Sequence, residues 1–488
     1  MEERYIASVD LGTSKIAVAV ARIEGDNVQM IYYRETPSEG VSESRVLNPA
    51  KVAVQLRKAL DMAEKELGMK ILQAVAGLPR WAVRQEIATA TLERTNGDEC
   101  IGEDELEALK TNAMSTYPLA DESNEVIYGI VAQSFSVEDI HQTSEEGVIG
   151  MVSPTIDGNF KAFVGPKRAM TNLDMVFNKA GVAIADKVFT PAAVAKAVLS
   201  NDEMDNGVAL IELGAGATSV TVYHGGIIRH YAAIPFGGNT ITEDIKQESS
   251  ISTRLAENIK LAYGACMPEK LASLEDKTIR INYTENMMEK QIPVKYLAEI
   301  ITEREREIIE AMLYEIEASG YADYLRSGIV ITGGGANLAN CGNFIKVLSG
   351  YTVREGFPLN RFSSDGCLGV HETEAATSVG LILAAKENRT LNCTEDAPVA
   401  AKAAEIENQV ETVPEEPEIQ GKTETETSLQ EGQLFGKEEF GPEVKPEKEK
   451  RKREKPKKPK GAFGLTWAKV KEKINDQMDN LYEGMENE

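Results

Sequence analysis

Cysteine and histidine are scarce in this 488-residue chain, with five of the first and four of the second. Cys100, Cys266, Cys341, Cys367 and Cys393 are scattered, with no Cys-x-x-Cys spacing. An odd, unclustered set argues against a disulfide framework and against a zinc site, and fits a reducing cytosol. The dispersed histidines argue equally against a His-metal centre. Positive charge is also in short supply: 53 Lys and Arg face 78 Asp and Glu, for a net charge of −25. A chain this acidic is a poor general nucleic-acid binder unless a basic patch is segregated, so nucleic acid is not an expected partner. No apolar run approaches the roughly 20 residues of a membrane-spanning helix, so any membrane contact is predicted to lie on the surface. Met1-Glu2-Glu3-Arg4 leads straight into a β-prone run, and no secretory signal peptide is expected. What remains is ample for folding: 42% hydrophobic residues and length enough for two or three domains.

The first informative stretch is Ile6 to Lys15. An apolar run meets Asp10, then Gly12-Thr13-Ser14, then Lys15, then a second β-prone run from Ile16 to Val20. This reads as a hairpin with little bulk at its turn. Gly12 lets the backbone come close to a ligand, Thr13 and Ser14 can donate to phosphate, and Lys15 adds a point charge. Asp10, at the strand end, could hold a metal-bound water. The same residues also make an ordinary polar hairpin.

The pattern recurs about 200 residues later, at Val208–Tyr223. Glu212 precedes Gly214-Ala215-Gly216-Ala217, and a second strand follows. If both turns face one cleft, phosphates could lie between two related domains. A third signal is Gly328–Leu338, a buried strand running into Gly333-Gly334-Gly335, then Asn337. It suits either a flat ligand lying on the backbone or a tight strand–helix turn, with the helix predicted from near Leu338. Elsewhere the periodicity predicts a strand at Val28–Arg34, a helix over Pro49–Leu67 and a strand at Ile71–Gly77. It further predicts a helix over Gly102–Met114 and strands at Val126–Phe135 and Val148–Val152. Helices are predicted at Asn172–Gly181 and Ile251–Tyr263, and through Ile292–Gly320.

Taken together, Asp10–Lys15, Glu212–Ser219 and Gly333–Asn337 resemble the two phosphate loops and the adenosine loop of the actin/Hsp70/sugar-kinase ATPase superfamily. Within it the chain resembles the FtsA family of bacterial cell-division proteins. The opening hairpin, an insert at about 84–166, the run Ile234-Pro235-Phe236-Gly237-Gly238-Asn239, then Ile259-Lys260-x-x-Tyr263-Gly264, and a variable linker with a terminal amphipathic segment carry that resemblance.

The resemblance implies an α/β, actin-like two-domain ATPase fold with an inserted small subdomain, then a disordered linker and a C-terminal amphipathic helix. The implied divisions are 1–83 with 167–191 for the first domain, 84–166 for the insert, 192–388 for the second domain, 389–460 for the linker and 461–488 for the helix. It implies ATP and Mg²⁺ as cofactors, with Asp10 and Glu212 holding Mg²⁺ through water and Glu212 as the catalytic carboxylate. Glu257 and Lys260 match a Glu-x-x-Lys pair that reaches the ribose and adenine. One departure stands out. The family's second loop commonly reads Asp-x-Gly-Gly-Gly-Thr-x-Asp, where this chain has Glu212, Ala215, Ala217 and Ser219 in place of Asp, Gly, Thr and Asp. A longer acid, a lost hydroxyl and a lost charge weaken hydrolysis more than binding, because hydrolysis needs water and metal placed to a fraction of an ångström. Slow or absent turnover is expected.

The tail changes sign. Residues 395–443 carry fourteen acidic and three basic residues, whereas Lys445–Lys460 holds ten basic residues against three acidic ones. The first stretch cannot bury enough apolar surface to order itself. The second suits anionic lipid, at about 1 kcal/mol per basic residue near the surface. Beyond it, Phe463, Trp467, Val470, Ile474, Met478 and Leu481 fall within about 80° on a helical wheel. Phe463, Leu465, Trp467, Val470 and Ile474 are the predicted membrane-binding residues, with a protein groove as the alternative target. Asp476, Asp479 and Glu483 make the far half acidic.

The family resemblance further implies self-association into filaments, binding of the C-terminal peptide of FtsZ, other divisome partners, and a peripheral position on the cytoplasmic side of the inner membrane at the septum. Rival readings are another actin-like scaffold of the pilus-assembly type and, less well matched, a small-molecule kinase or a chaperone-type ATPase.

Overall fold

The structure is a computed structural model that describes residues 3–271, 277–283, 288–364 and 366–394. It opens with three antiparallel strands, β1 (Arg4–Leu11), β2 (Lys15–Glu24) and β3 (Asn27–Pro37). Tyr5–Val9 and Ile16–Ala21 are buried, as expected of strands covered on both faces. A small hairpin, β4 (Val41–Ser42) and β5 (Arg45–Val46), leads to helix α1 (Pro49–Leu67). Its signals are local. The Asn48 side chain accepts from the Lys51 amide, Pro49 takes the first turn, and Gly68 closes the helix at φ 68°. Val52, Leu56, Leu60 and Ala63 give it a buried stripe, which seats it on β2 and β3, and β6 (Gln73–Gly77) follows.

The insert follows. Strand β7 (Arg84–Glu93), helix α2 (Glu103–Thr116) and strands β8 (Glu125–Val137), β9 (Ile140–Gln142) and β10 (Thr155–Pro166) build a sheet in the order β7-β10-β8-β9. It has its own core around Leu106, Leu109, Phe135, Ile156 and Phe160. Val148–Val152, predicted as a strand, is a turn with one isolated bridge from Val152 to Cys100. Gly147 and Gly150, the latter at φ 89°, bracket it and interrupt an extended run. The chain returns through α3 (Lys167–Ala180), capped by Gly181, and β11 (Ala183–Val188), to α4 (Thr190–Val198) and α5 (Asn201–Asn206).

The second sheet repeats the first. Strands β12 (Val208–Leu213), β13 (Thr218–His224) and β14 (Ile227–Ile234) form another antiparallel meander. Helices α6 (Gly238–Ser249) and α7 (Thr253–Tyr263), hairpin β15 (Thr278–Tyr283) with β16 (Met288–Pro293), and the long α8 (Val294–Ala318) come next. Then β17 (Ile329–Thr332), α9 (Cys341–Ser349), β18 (Val353–Glu355), β19 (Ser363–Ser364) and α10 (Ala376–Ala385) complete the described body. The five matching strands run β11-β6-β1-β2-β3 in the first sheet and β18-β17-β12-β13-β14 in the second. This shared order is the duplication that the two strand–turn–strand motifs implied, and it gives the α/β, actin-like architecture.

Two boundaries differ from expectation. The helix predicted from Leu338 begins at Cys341, because Gly334–Asn337 closes a 3₁₀ turn and Asn340 sits at φ 63°. Helix α10 packs on β1, β2 and β6 as well as on α4. A Cβ on Gly380 would lie 2.2 Å from the Ala193 carbonyl oxygen, so the two helices meet backbone to backbone. Of residues 389–394, expected to open the linker, Leu391, Cys393 and Thr394 are buried instead. Cys393 is buried, its amide donates to the Tyr5 carbonyl, and its own carbonyl accepts from the Leu72 amide.

Candidate functional site

Asp10 and Glu212 occupy equivalent places, each next to last in its strand. Asp10 is level with Ala17 across the first meander, and Glu212 with Ser219 across the second. Each strand then turns through small residues, Gly12-Thr13-Ser14 on one side and Gly214-Ala215-Gly216-Ala217 on the other. Between them lies a cleft of about 520 Å³, within the size range of ligand sites. Gly333, Gly334, Gly335 and Asn337 form its third wall, and Glu257 and Lys260 of α7 line it from the side. All fifteen residues singled out in the sequence as cofactor contacts therefore face one space.

The glycines are required first by how closely the turns approach each other. A Cβ on Gly216 would sit 2.6 Å from Thr13 Oγ1, and one on Gly333 would sit 2.6 Å from the Leu213 carbonyl oxygen. Gly333 also has φ 86°, where a side chain is strained. The triple-glycine stretch thus serves as a tight turn against β12 while leaving Gly334 open, with nothing nearer to its missing Cβ than the Glu374 side chain at 3.6 Å. The second turn is further tied to α6, where the Gly238 and Asn239 amides donate to the Gly214 and Ala215 carbonyls.

Lys260 is not free to reach a ligand. Its Nζ donates to the Gly238 carbonyl at 2.8 Å and to Thr242 Oγ1 at 2.9 Å, and it pairs with Glu257 at 2.8 Å. It is 8% exposed. Its work is to hold the first turn of α6 in place, leaving the half-exposed Glu257 as the polar group at that wall. Lys15 in turn pairs with Glu35, which also accepts from Tyr33.

The residue that sequence reasoning missed is Arg80. It follows β6 in Gly77-Leu78-Pro79-Arg80, at the carboxyl end of a buried strand, where α/β proteins place ligand contacts. Its Nη1 donates to Glu212 Oε1 at 2.5 Å, and that oxygen also accepts from Thr377 Oγ1 at 3.2 Å. Burial lowers the guanidinium, but Glu212 and Asp10 more than offset this and hold it protonated. Burial pushes Asp10 and Glu212 above the usual carboxylate range, and Arg80 opposes the shift in both. Glu212 is therefore already paired with Arg80, where the sequence reading gives it a metal-bound water. A magnesium ion shared by Asp10 and Glu212 does not fit beside that guanidinium. The predicted membrane residues Phe463, Leu465, Trp467, Val470 and Ile474 lie outside the described residues.

Comparison with known proteins agrees with this architecture. A chain from the PilM-PilN type IV pilus biogenesis complex matches with a TM-score of 0.56 at 15% identity, over 78% of this chain and 98% of that one, a likeness of fold. In sequence, the Cell division protein FtsA of Neisseria meningitidis serogroup B is 28% identical over 389 residues, which is 79% of this chain and 91% of that protein. The Cell division protein FtsA of Bacillus subtilis is 26% identical over 79% of this chain and 84% of its own length. A family model described as Cell division protein FtsA matches residues 209–380, the stretch that carries the second phosphate-type turn, α6, α7 and the triple glycine. In sequence, then, the chain is similar to the FtsA family of cell-division proteins.

Proposed function

We propose that this chain binds ATP in the cleft between its two sheets and tethers FtsZ filaments to the inner face of the cytoplasmic membrane. The observation that carries the nucleotide half is the meeting of two duplicated turns and a triple-glycine wall around one space of about 520 Å³. Small residues leave backbone groups accessible there, as polyphosphate recognition requires. The open face at Gly334 suits a flat base. Hydrolysis is slow or absent, because Ala217 offers no hydroxyl, Ser219 no charge, and the Glu212 carboxylate is spent on Arg80.

The tethering half rests on the similarity to the FtsA family and on the tail pattern of a basic run followed by an amphipathic stripe. FtsZ would be recognised through its C-terminal peptide. Filament formation, other divisome contacts and the septal location follow from the same reading. The insert, with its separate core, is the candidate surface for divisome partners.

A pull-down with an FtsZ C-terminal peptide tests the partner. Enrichment of this chain is expected, and no enrichment over a scrambled peptide would contradict it. Steady-state ATP turnover is expected below about 1 s⁻¹, the low end of ordinary enzymes.

A further inference from the structure

We infer that Arg80 is the cation that neutralises the terminal phosphate of a bound nucleoside triphosphate in this chain, in place of a divalent ion held by Asp10 and Glu212. The inference rests on the nucleotide reading of the cleft. Five carboxylates face that space, from Asp10, Glu35, Glu212, Glu257 and Glu374, against three cations, Lys15, Arg80 and Lys260. Lys260 is anchored to the Gly238 carbonyl and Lys15 pairs with Glu35. Arg80 alone reaches the acid at the end of β12. A guanidinium has five donors in a fork, and the Glu212 contact uses one of them. Arg80 also lines the cleft, where phosphate oxygens would compete with the Glu212 carboxylate for the same fork geometry.

The backbone that presents this side chain is clamped from both halves of the molecule. The Arg80 amide donates to Ser44 Oγ at 3.2 Å, and its carbonyl accepts from Tyr231 Oη at 2.6 Å. Tyr231 is itself fixed by the Gln85 side chain, which accepts from its amide at 3.0 Å. A guanidinium placed this way is preorganised, so little entropy is lost when it meets an anion. The arrangement also explains why position 212 holds Glu. The extra methylene lets a strand-end carboxylate meet an arginine rising from the other sheet. Removing Arg80 would leave five carboxylates against two cations among the described lining residues, which increases the dependence of binding on a dication.

Equilibrium titration of the full chain with ribose-labelled fluorescent ATP, in magnesium or in EDTA, tests this. Wild-type affinity is expected to change by less than about tenfold between the two buffers, whereas Arg80→Ala binds at least about tenfold more weakly than wild type in EDTA and recovers with magnesium. Glu212→Gln keeps Arg80 and frees it from its partner, so its affinity in EDTA should equal or exceed that of wild type. This second variant guards against a folding defect in the first. Wild-type binding that falls by more than about tenfold in EDTA, with Arg80→Ala responding alike, overturns the role of Arg80 and leaves the nucleotide reading intact. No binding in either buffer overturns both.

Discussion

Thr13 and Gly216 touch across the cleft, one from each duplicated hairpin, and a Cβ at Gly216 would lie 2.6 Å from Thr13 Oγ1. The Thr13 hydroxyl is already held by the Ser44 amide at 3.1 Å, so it cannot swing aside without losing that bond. Gly216→Ala should therefore push the turns apart at a cost of about 1–3 kcal/mol, the usual range for overpacking. Fluorescent-nucleotide titration and a urea midpoint would both register the loss. The double change Thr13→Ala, Gly216→Ala should recover part of it. A single variant indistinguishable from wild type would mean that the turns do not meet in solution.

Glu305 lies buried on α8 with Cys341 Sγ 3.6 Å away, and burial raises its carboxyl from 4.5 to about 7. A carboxyl whose folded value is raised stabilises the fold only while protonated. Its contribution is intact below the unfolded value and is lost as pH rises through about 7. Stability should thus fall between about pH 4.5 and pH 8, by up to about 3 kcal/mol from this group. Glu305→Gln should flatten that part of the profile and raise the urea midpoint at pH 8, while changing little at pH 5. Parallel profiles for the two proteins would contradict the assignment.

Lys260→Met removes two hydrogen bonds and an ion pair at once. Loss of such a buried cation from its partners costs roughly 2–4 kcal/mol, discounted because Glu257 keeps access to water. The same change should weaken nucleotide binding indirectly, since Lys260 sets the first turn of α6 beside the Gly214–Ala217 turn. Lower stability accompanied by weaker binding is the expected result. Weaker binding at unchanged stability would instead make Lys260 a direct ligand contact.

Much of this architecture is legible in the chain itself, and the reasons are local. Asn48, Pro49 and Gly68 write the ends of α1, and the helix runs from Pro49 to Leu67 as the pattern predicts. The acid–small-turn–strand motif, repeated about 200 residues apart, reveals the doubled sheet order because β1 and β12 share one job. What the chain does not disclose is set by tertiary contact. Arg80 looks like a surface residue after a strand, and only the folded structure brings its side chain onto Glu212 at the end of β12. Lys260 looks like a ligand contact until Gly238 and Thr242 are seen to hold its amine. Residues 389–394 read as linker because their few apolar side chains, Leu391 and Cys393, show their value only once they join the core of the first sheet.

The tail's stripe gives a prediction independent of the body. Replacing both Phe463 and Trp467 with Glu puts two charges on the apolar face, and each side chain moved from water into an apolar surface contributes about 2–3 kcal/mol. The double variant should stay in the supernatant with anionic vesicles at concentrations where the unaltered chain pellets. If it pellets equally, the stripe faces a protein groove or nothing at all.

The tethering claim is tested most directly by co-sedimentation of FtsZ with anionic vesicles in the presence of ATP, comparing the full chain with one ending at Lys460. FtsZ in the vesicle pellet with the full chain, and in the supernatant with the shortened one, is the result the account predicts. FtsZ that pellets equally with both, or with neither, would contradict it.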